Sequence, residues 1–210
     1  SPPAPLLSSP PGSVPALMAD DMRQVDAVIQ RRLASQVVLI DQIAHYIISA
    51  GGKRIRPMLV LLFSSALGFV GRARFELAAA VEFIHTATLL HDDVVDLAER
   101  RRGEPAACTV YGNAASIFAG DWLLVAALRK IAAARVEGLL DRMLGVIDEM
   151  ILAESLQLER RGRLVADRAE YFKIVEGKTA SLFRWAMLAG ARSANLGDKV
   201  VYPRESKEGE

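Results

Sequence analysis

A chain of 210 residues, 51% apolar and 24% charged, can bury one sizeable core and is too apolar to read as a disordered segment. Its formal net charge of +1 provides no global basic field of the kind that drives nonspecific nucleic-acid binding, so nucleic acid is not an expected partner and any anion site must be a local cluster. A single cysteine, Cys108, excludes an internal disulfide framework and a multi-cysteine zinc site; it reads as a small packed residue in a reducing cytoplasm.

Residues 1–17 begin SPPAPLLSSPPGSVPA, a Pro- and Ser-rich stretch without the basic start and long apolar run of a secretory signal. The first arginine is Arg23, which argues against an organellar transit peptide, and the stretch is read as a mobile tail. From residue 18 to 49, Met18, Val25, Val28, Ile29, Leu33, Val37, Leu39, Ile40, Ile43, Ile47 and Ile48 fall mostly at helical spacing, until Gly51 and Gly52 end the run. A second helix is expected from near Pro57 to Gly68, because proline suits a first turn and glycine an exit.

Further helices are expected over 74–98, 113–134, 137–160, 167–176 and 178–194, where Ala, Leu, Met, Glu and Arg predominate. Period-two alternation is scarce, so little room remains for a sheet. No uncharged apolar run reaches the roughly 18 residues of a membrane span. The expected fold class is all-α, a single-domain bundle of long helices over 18–197 around a deep apolar cavity. After Gly197 the text turns to DKVVYPRESKEGE, a charged segment over 198–210 with no helical apolar face.

The stretch LLHDDVVDLAERRRGEP, residues 89–105, sets three aspartates just ahead of three arginines. Residues four apart share a helix face, so Asp92 and Asp96 project the same way, with Asp93 about a quarter-turn round. Leu89, Leu90, Val94, Val95 and Leu97 make unpaired negative charge costly there. Two readings stand: a solvated or Arg-paired face, or a magnesium site. Mg²⁺ takes carboxylate oxygens, keeps several waters and shares its carboxylates with substrate phosphates, while arginines take the remaining phosphate oxygens. A second basic cluster, GGKRIRP at 51–57, places Lys53, Arg54 and Arg56 in a glycine-led connection before a helix, where backbone N–H groups also attract anions.

GGKRIRP, then HTATLLHDDVVD followed after four residues by Arg101, Arg102 and Gly103, then YGNAASIFAGDWLL, and finally GKTASLF at 177–183 occur in that order. In these motifs the chain resembles the trans-isoprenyl diphosphate synthases, of the long-chain polyprenyl type, over about residues 20–197. The resemblance implies that Asp92 and Asp96, supported by Asp93, bind the Mg²⁺ ions that hold an allylic diphosphate, which Arg101 contacts. It further implies that Lys53, Arg56, His85 and Arg102 bind isopentenyl diphosphate, and that Lys178, Thr179 and Gln157 lie near the leaving group. Read from its own position, His85 is as well explained as a satisfied core residue, and Gln157 as a polar helix position with an internal hydrogen bond.

One turn before Asp92, Ala87 and Thr88 are small, so the floor beneath the metal site is not plugged; Phe83, a turn deeper, is a candidate limit on product length. A long product of about C40 to C50 is expected, although small residues also serve simply to let helices approach. The apolar helix at 113–134 suits a homodimer seam or, equally, an internal core. The family's second aspartate-rich motif is absent from these residues. Three explanations follow: separate parts of a longer chain joined in one sequence, a truncated protein, or a non-catalytic regulatory subunit paired with an active homologue. A terpene cyclase is a further alternative, since it would use the aspartates without the isopentenyl pocket. A cytoplasmic enzyme that hands its product peripherally to a membrane is the expected setting.

Overall fold

The computed structural model describes residues 12–33, 37–161 and 167–193. Most of the expected tail and all of the charged segment at 198–210 lie outside the described residues. Within the stretch read as tail, a single turn, α1, spans Val14–Leu17.

The run expected as one pattern over 18–49 is two helices, α2 at Ala19–Arg32 and α3 at Val38–Ser49. The physical reason is the partner of each: α2 packs on a long central helix, α5 (Ala73–Val95), whereas α3 packs on α7 (Asn113–Ala134). One straight helix cannot serve both. Leu33 is fully buried where α2 ends, while Val37 and Val38 are exposed where the next face begins.

α4 (Ile55–Ala66) starts two residues before Pro57, which fits because proline is tolerated in the first turn. It ends before Gly68, whose φ of 76° suits a left-handed exit. α5 ends at Val95, short of the expected 98. Beyond it, a two-residue ladder pairs β1 (Arg100–Arg101) with β2 (Glu104–Pro105). Arg102 and Gly103, at φ of 52° and 85°, form its turn; both being positive, they match the right-handed twist of a two-residue hairpin. Then follow α6 (Ala107–Tyr111), α7, α8 (Leu139–Glu159), α9 (Arg168–Val175), a π-helical turn at Glu176–Ala180, and α10 (Ser181–Ser193).

The all-α class is borne out. The core centres on α5, which packs chiefly against α7 and α4, while α10 crosses α4. Leu77, Val81, Phe83, Ile84 and Leu90 of α5 are fully buried. At the α4–α10 crossing a Cβ on Gly190 would lie 2.4 Å from the Val60 carbonyl oxygen, so glycine sets the approach. Ser64 and Ser193 meet there in a buried hydroxyl pair at 3.1 Å. No helix among the described residues is long and apolar enough to cross a membrane.

Candidate active site

The last turn of α5 gives its three aspartates three environments. Asp93 is 3% exposed, a cost its partner offsets. Arg101 donates from Nε to Oδ2 at 2.8 Å and from a terminal nitrogen to Oδ1 at 2.7 Å, a bidentate pair that ties the hairpin to the helix. Asp96 is the exposed C-cap of α5 and is held by Arg161 at the end of α8. Arg161 also donates to the Val95 carbonyl at 2.8 Å.

Asp92 is half-buried and, among the described residues, its carboxylate has neither hydrogen bond nor ion pair. Burial first, and then the negative charges of Glu154 and Asp96, push it up to about 6, while Lys178 and Arg101 pull the other way. It faces α8 and the π-turn. Lys178, on that turn, donates to Gln157 Oε1 at 2.8 Å and is ion-paired with Glu154. Gln157 thus makes the internal hydrogen bond that its position suggested; Thr179 beside it is exposed.

Two turns back along the same face of α5 stand the cations. His85 is half-buried, and burial with the positive charges of Arg56, Arg102 and Arg101 lowers it to about 3, so its imidazole is neutral. The Arg56 guanidinium lies 4.5 Å over the Phe183 ring, burial depresses its pKa, and its Nε is buried with no hydrogen-bond partner among the described residues. Arg102 rests on Gly52, where a Cβ would sit 2.9 Å from its guanidinium. The glycine therefore admits the arginine, and the loop at 51–54 meets the hairpin turn. Lys53 is exposed beside them. Arg54 and Arg102 both adopt left-handed backbone, at φ of 50° and 52°, a local strain that Leu97 and Arg135 share elsewhere in the chain.

Three charged groups here were not singled out from sequence. Glu82, one turn before His85, lies among Arg54, Arg56 and Arg102 and is pushed up by burial. With Asp26 of α2 it brackets Arg54, at 3.8 Å and 3.6 Å. Glu154 and Arg161 complete the aspartate side. Spacing offered a signal for Glu82, three residues ahead of His85 on the same helix, but none for the other two. Of the expected chain-length residues, Phe83 and Ala87 face the packed core at 0% and 3% exposure, and the Thr88 hydroxyl donates to the His85 carbonyl at 2.7 Å.

Among the described residues no group of three or more His, Cys, Asp or Glu side chains is placed to hold a metal by itself. A hard cation nonetheless fits. Among the described residues Asp92 makes no ion pair, and it is raised by burial and then by neighbouring carboxylates, which is what a site completed by water and phosphate oxygens would leave. Asp92 and Asp96 would be the oxygen donors for such an ion; Asp93 is committed to Arg101. A separate cavity of about 990 Å³ opens between α8 and α10, lined by residues such as Arg142, Val146, Trp185 and Arg192, away from these groups.

Residues 37–205 match the family model described as Polyprenyl synthetase. Octaprenyl diphosphate synthase of Escherichia coli (strain K12) is 42% identical over 170 residues, which are 81% of this chain and 53% of that protein. Geranylgeranyl diphosphate synthase of Methanosarcina mazei is 33% identical over 185 residues, 84% of this chain and 56% of that protein. A polyprenyl synthase from Caulobacter crescentus CB15, solved in complex with calcium and isoprenyl diphosphate, superposes with a TM-score of 0.84 at 39% identity, covering 87% of this chain and 56% of that one. The chain thus spans about half the length of the relatives it matches.

Proposed function

The chain belongs to the polyprenyl synthetase family, and from that membership we propose that the whole protein is a Mg²⁺-dependent prenyltransferase. It joins isopentenyl diphosphate head to tail to an allylic diphosphate, lengthening the product by five carbons per cycle. The observation that carries this reading is the division of charge along one face of α5: the unpaired Asp92 and the outward Asp96 at its end, and a cluster of half-buried Arg56, exposed Arg102 and neutral His85 two turns earlier. One polyanion held through a cation and a second held directly by guanidinium groups need that division.

Asp92 and Asp96 would hold the Mg²⁺, which would supply charge neutralisation for the departing diphosphate. Lys178, anchored by Gln157 and Glu154, adds a fixed positive charge on the leaving-group side. Arg101, locked to Asp93, positions the hairpin and presents the rest of its guanidinium to the same diphosphate. Lys53, Arg56 and Arg102 take the diphosphate of isopentenyl diphosphate, and the unpartnered Nε of Arg56 is a donor in want of such an acceptor. The neutral His85 can donate or accept there without adding charge. Thr179 lies at the rim. No protein nucleophile is required: the allylic carbocation is attacked by the terminal double bond, and a proton is then lost.

A product of about C40 to C50 is proposed, since Ala87 and Thr88 leave the turn below Asp92 without bulk and Phe83 stands deeper; the octaprenyl relative agrees with that range. The same site is proposed to sit in a helical domain over 18–197, in a cytoplasmic homodimer joined through α7 and handing its product to a membrane peripherally.

Incubation with farnesyl diphosphate, radiolabelled isopentenyl diphosphate and Mg²⁺ tests the activity, with product chromatography reading chain length. Labelled, elongated prenyl diphosphates are expected. No turnover by the whole protein would favour a non-catalytic subunit, and unlabelled cyclic hydrocarbon a terpene cyclase.

A further inference from the structure

We propose that Arg161 is an exchange residue for the metal site: it holds the Asp96 carboxylate until a divalent cation takes it, and then turns to an oxygen of the diphosphate that the cation carries. The inference rests on the proposed function and adds a ligand-contacting residue to it. It starts from the end of α8, where Arg161 makes two contacts with the end of α5, one to the Val95 carbonyl at 2.8 Å and one to Asp96 Oδ1. Asp96 is one of two carboxylates available to a cation, because Asp93 is consumed by Arg101. A cation cannot share Asp96 with a guanidinium seated on the same oxygen without strong repulsion, so one displaces the other.

Displacement is easy here. Asp96 and Arg161 are 41% and 42% exposed, and an exposed ion pair, screened by solvent, contributes little. A freed Arg161 remains tethered to the α5 terminus through Val95, within reach of whatever anion the cation brings. Guanidinium and phosphate then pair by charge-assisted hydrogen bonds, roughly twice as strong as neutral ones. Its neighbour Arg160 does not take part, being paired with Glu170 of α9. The expected consequence is a change of sign: Arg161 opposes the bare cation and favours the cation bound to diphosphate.

The test is Mn²⁺ binding to the 210-residue chain, followed by electron paramagnetic resonance, with and without inorganic pyrophosphate. Arg161→Gln should bind Mn²⁺ alone about threefold more tightly than the unsubstituted chain, and the Mn²⁺–pyrophosphate pair about tenfold more weakly. Arg160→Gln should change neither. Arg161→Lys keeps the charge and loses the fork, and should weaken pyrophosphate-dependent binding about threefold. Should Arg161→Gln fail to fold by circular dichroism, the lysine variant carries the test. Effects of one sign in both arms, or none in either, overturn the exchange while leaving the proposed function intact. An unsubstituted chain that binds neither Mn²⁺ nor its pyrophosphate complex overturns the metal reading itself, and this inference with it.

Discussion

His85 shows how a single side chain records its neighbours. Its folded pKa of about 3 lies below the ordinary 6.5 because of burial and three surrounding arginines, so the fold accepts only the neutral ring. Between these values the unfolded chain binds the proton that the folded chain refuses. The stability linked to His85 is therefore complete above pH 6.5 and is lost as pH falls toward 3. His85→Gln should remove that dependence: melting temperatures that differ little at pH 7.5 should favour the variant at pH 4.5, by about 2 kcal/mol once the part-exposure of the ring is allowed for. Parallel pH profiles would show that the ring is charged in the fold. Asp93 makes the complementary case. It was legible in sequence only as a supporting acid, yet it is the most buried of the three, and Asp93→Ala leaves Arg101 without its partner. A loss of about 3 kcal/mol in urea unfolding is expected, against less than 1 kcal/mol for Asp96→Ala at the exposed end of the same helix.

At the scale of elements, the long helices were legible because their apolar spacing persists for several turns: α7 begins and ends where its pattern does, at Asn113 and Ala134. Two features were not. The break between α2 and α3 follows from different packing partners, and spacing reports a face without saying what the face meets. The π-turn at Glu176–Ala180 adds one residue to a turn that carries α9 directly into α10, where the sequence reading ended one helix at 176 and began another at 178. The site shows the same division. Asp92 and Arg56 stand in charge clusters that local order exposes and Lys178 in a motif that the resemblance supplied, whereas Glu154 and Arg161 matter only because α8 ends beside α5. The π-turn carries its own prediction. A Cβ on Gly177 would come within 2.8 Å of both the Ala153 Cβ and the Glu149 carbonyl oxygen of α8, and the latter, as backbone, cannot step aside. Gly177→Ala should cost about 1 to 3 kcal/mol by overpacking and push Lys178 off Gln157. Stability unchanged in urea would mean that the α8 contact is looser than it stands here.

For the whole molecule, α7 carries the face proposed to join one copy to another. Its inner face is buried through Ser116, Ala119, Gly120, Leu123 and Ala127, and the close approach to α5 is tight enough that a Cβ on Gly120 would meet the His91 ring at 2.4 Å. A helix serving only the core would be polar on its other side, but α7 presents Ile117, Phe118 and Val125 outward at 38%, 63% and 49% exposure. A helix of this length runs about 33 Å, enough to supply a large part of the roughly 800 Å² that a stable dimer buries on each partner. Self-association of identical copies places the same face on both, so a charge at its centre is repeated across the axis and opposes itself. Phe118→Glu should therefore convert a dimer into a monomer with no loss of helical circular dichroism, and sedimentation velocity across a hundredfold range of protein concentration reads the change directly. If the unsubstituted chain sediments as a monomer throughout that range, the outward residues of α7 meet something other than a second copy, and the assembly proposed for this protein is wrong even where its active site is right.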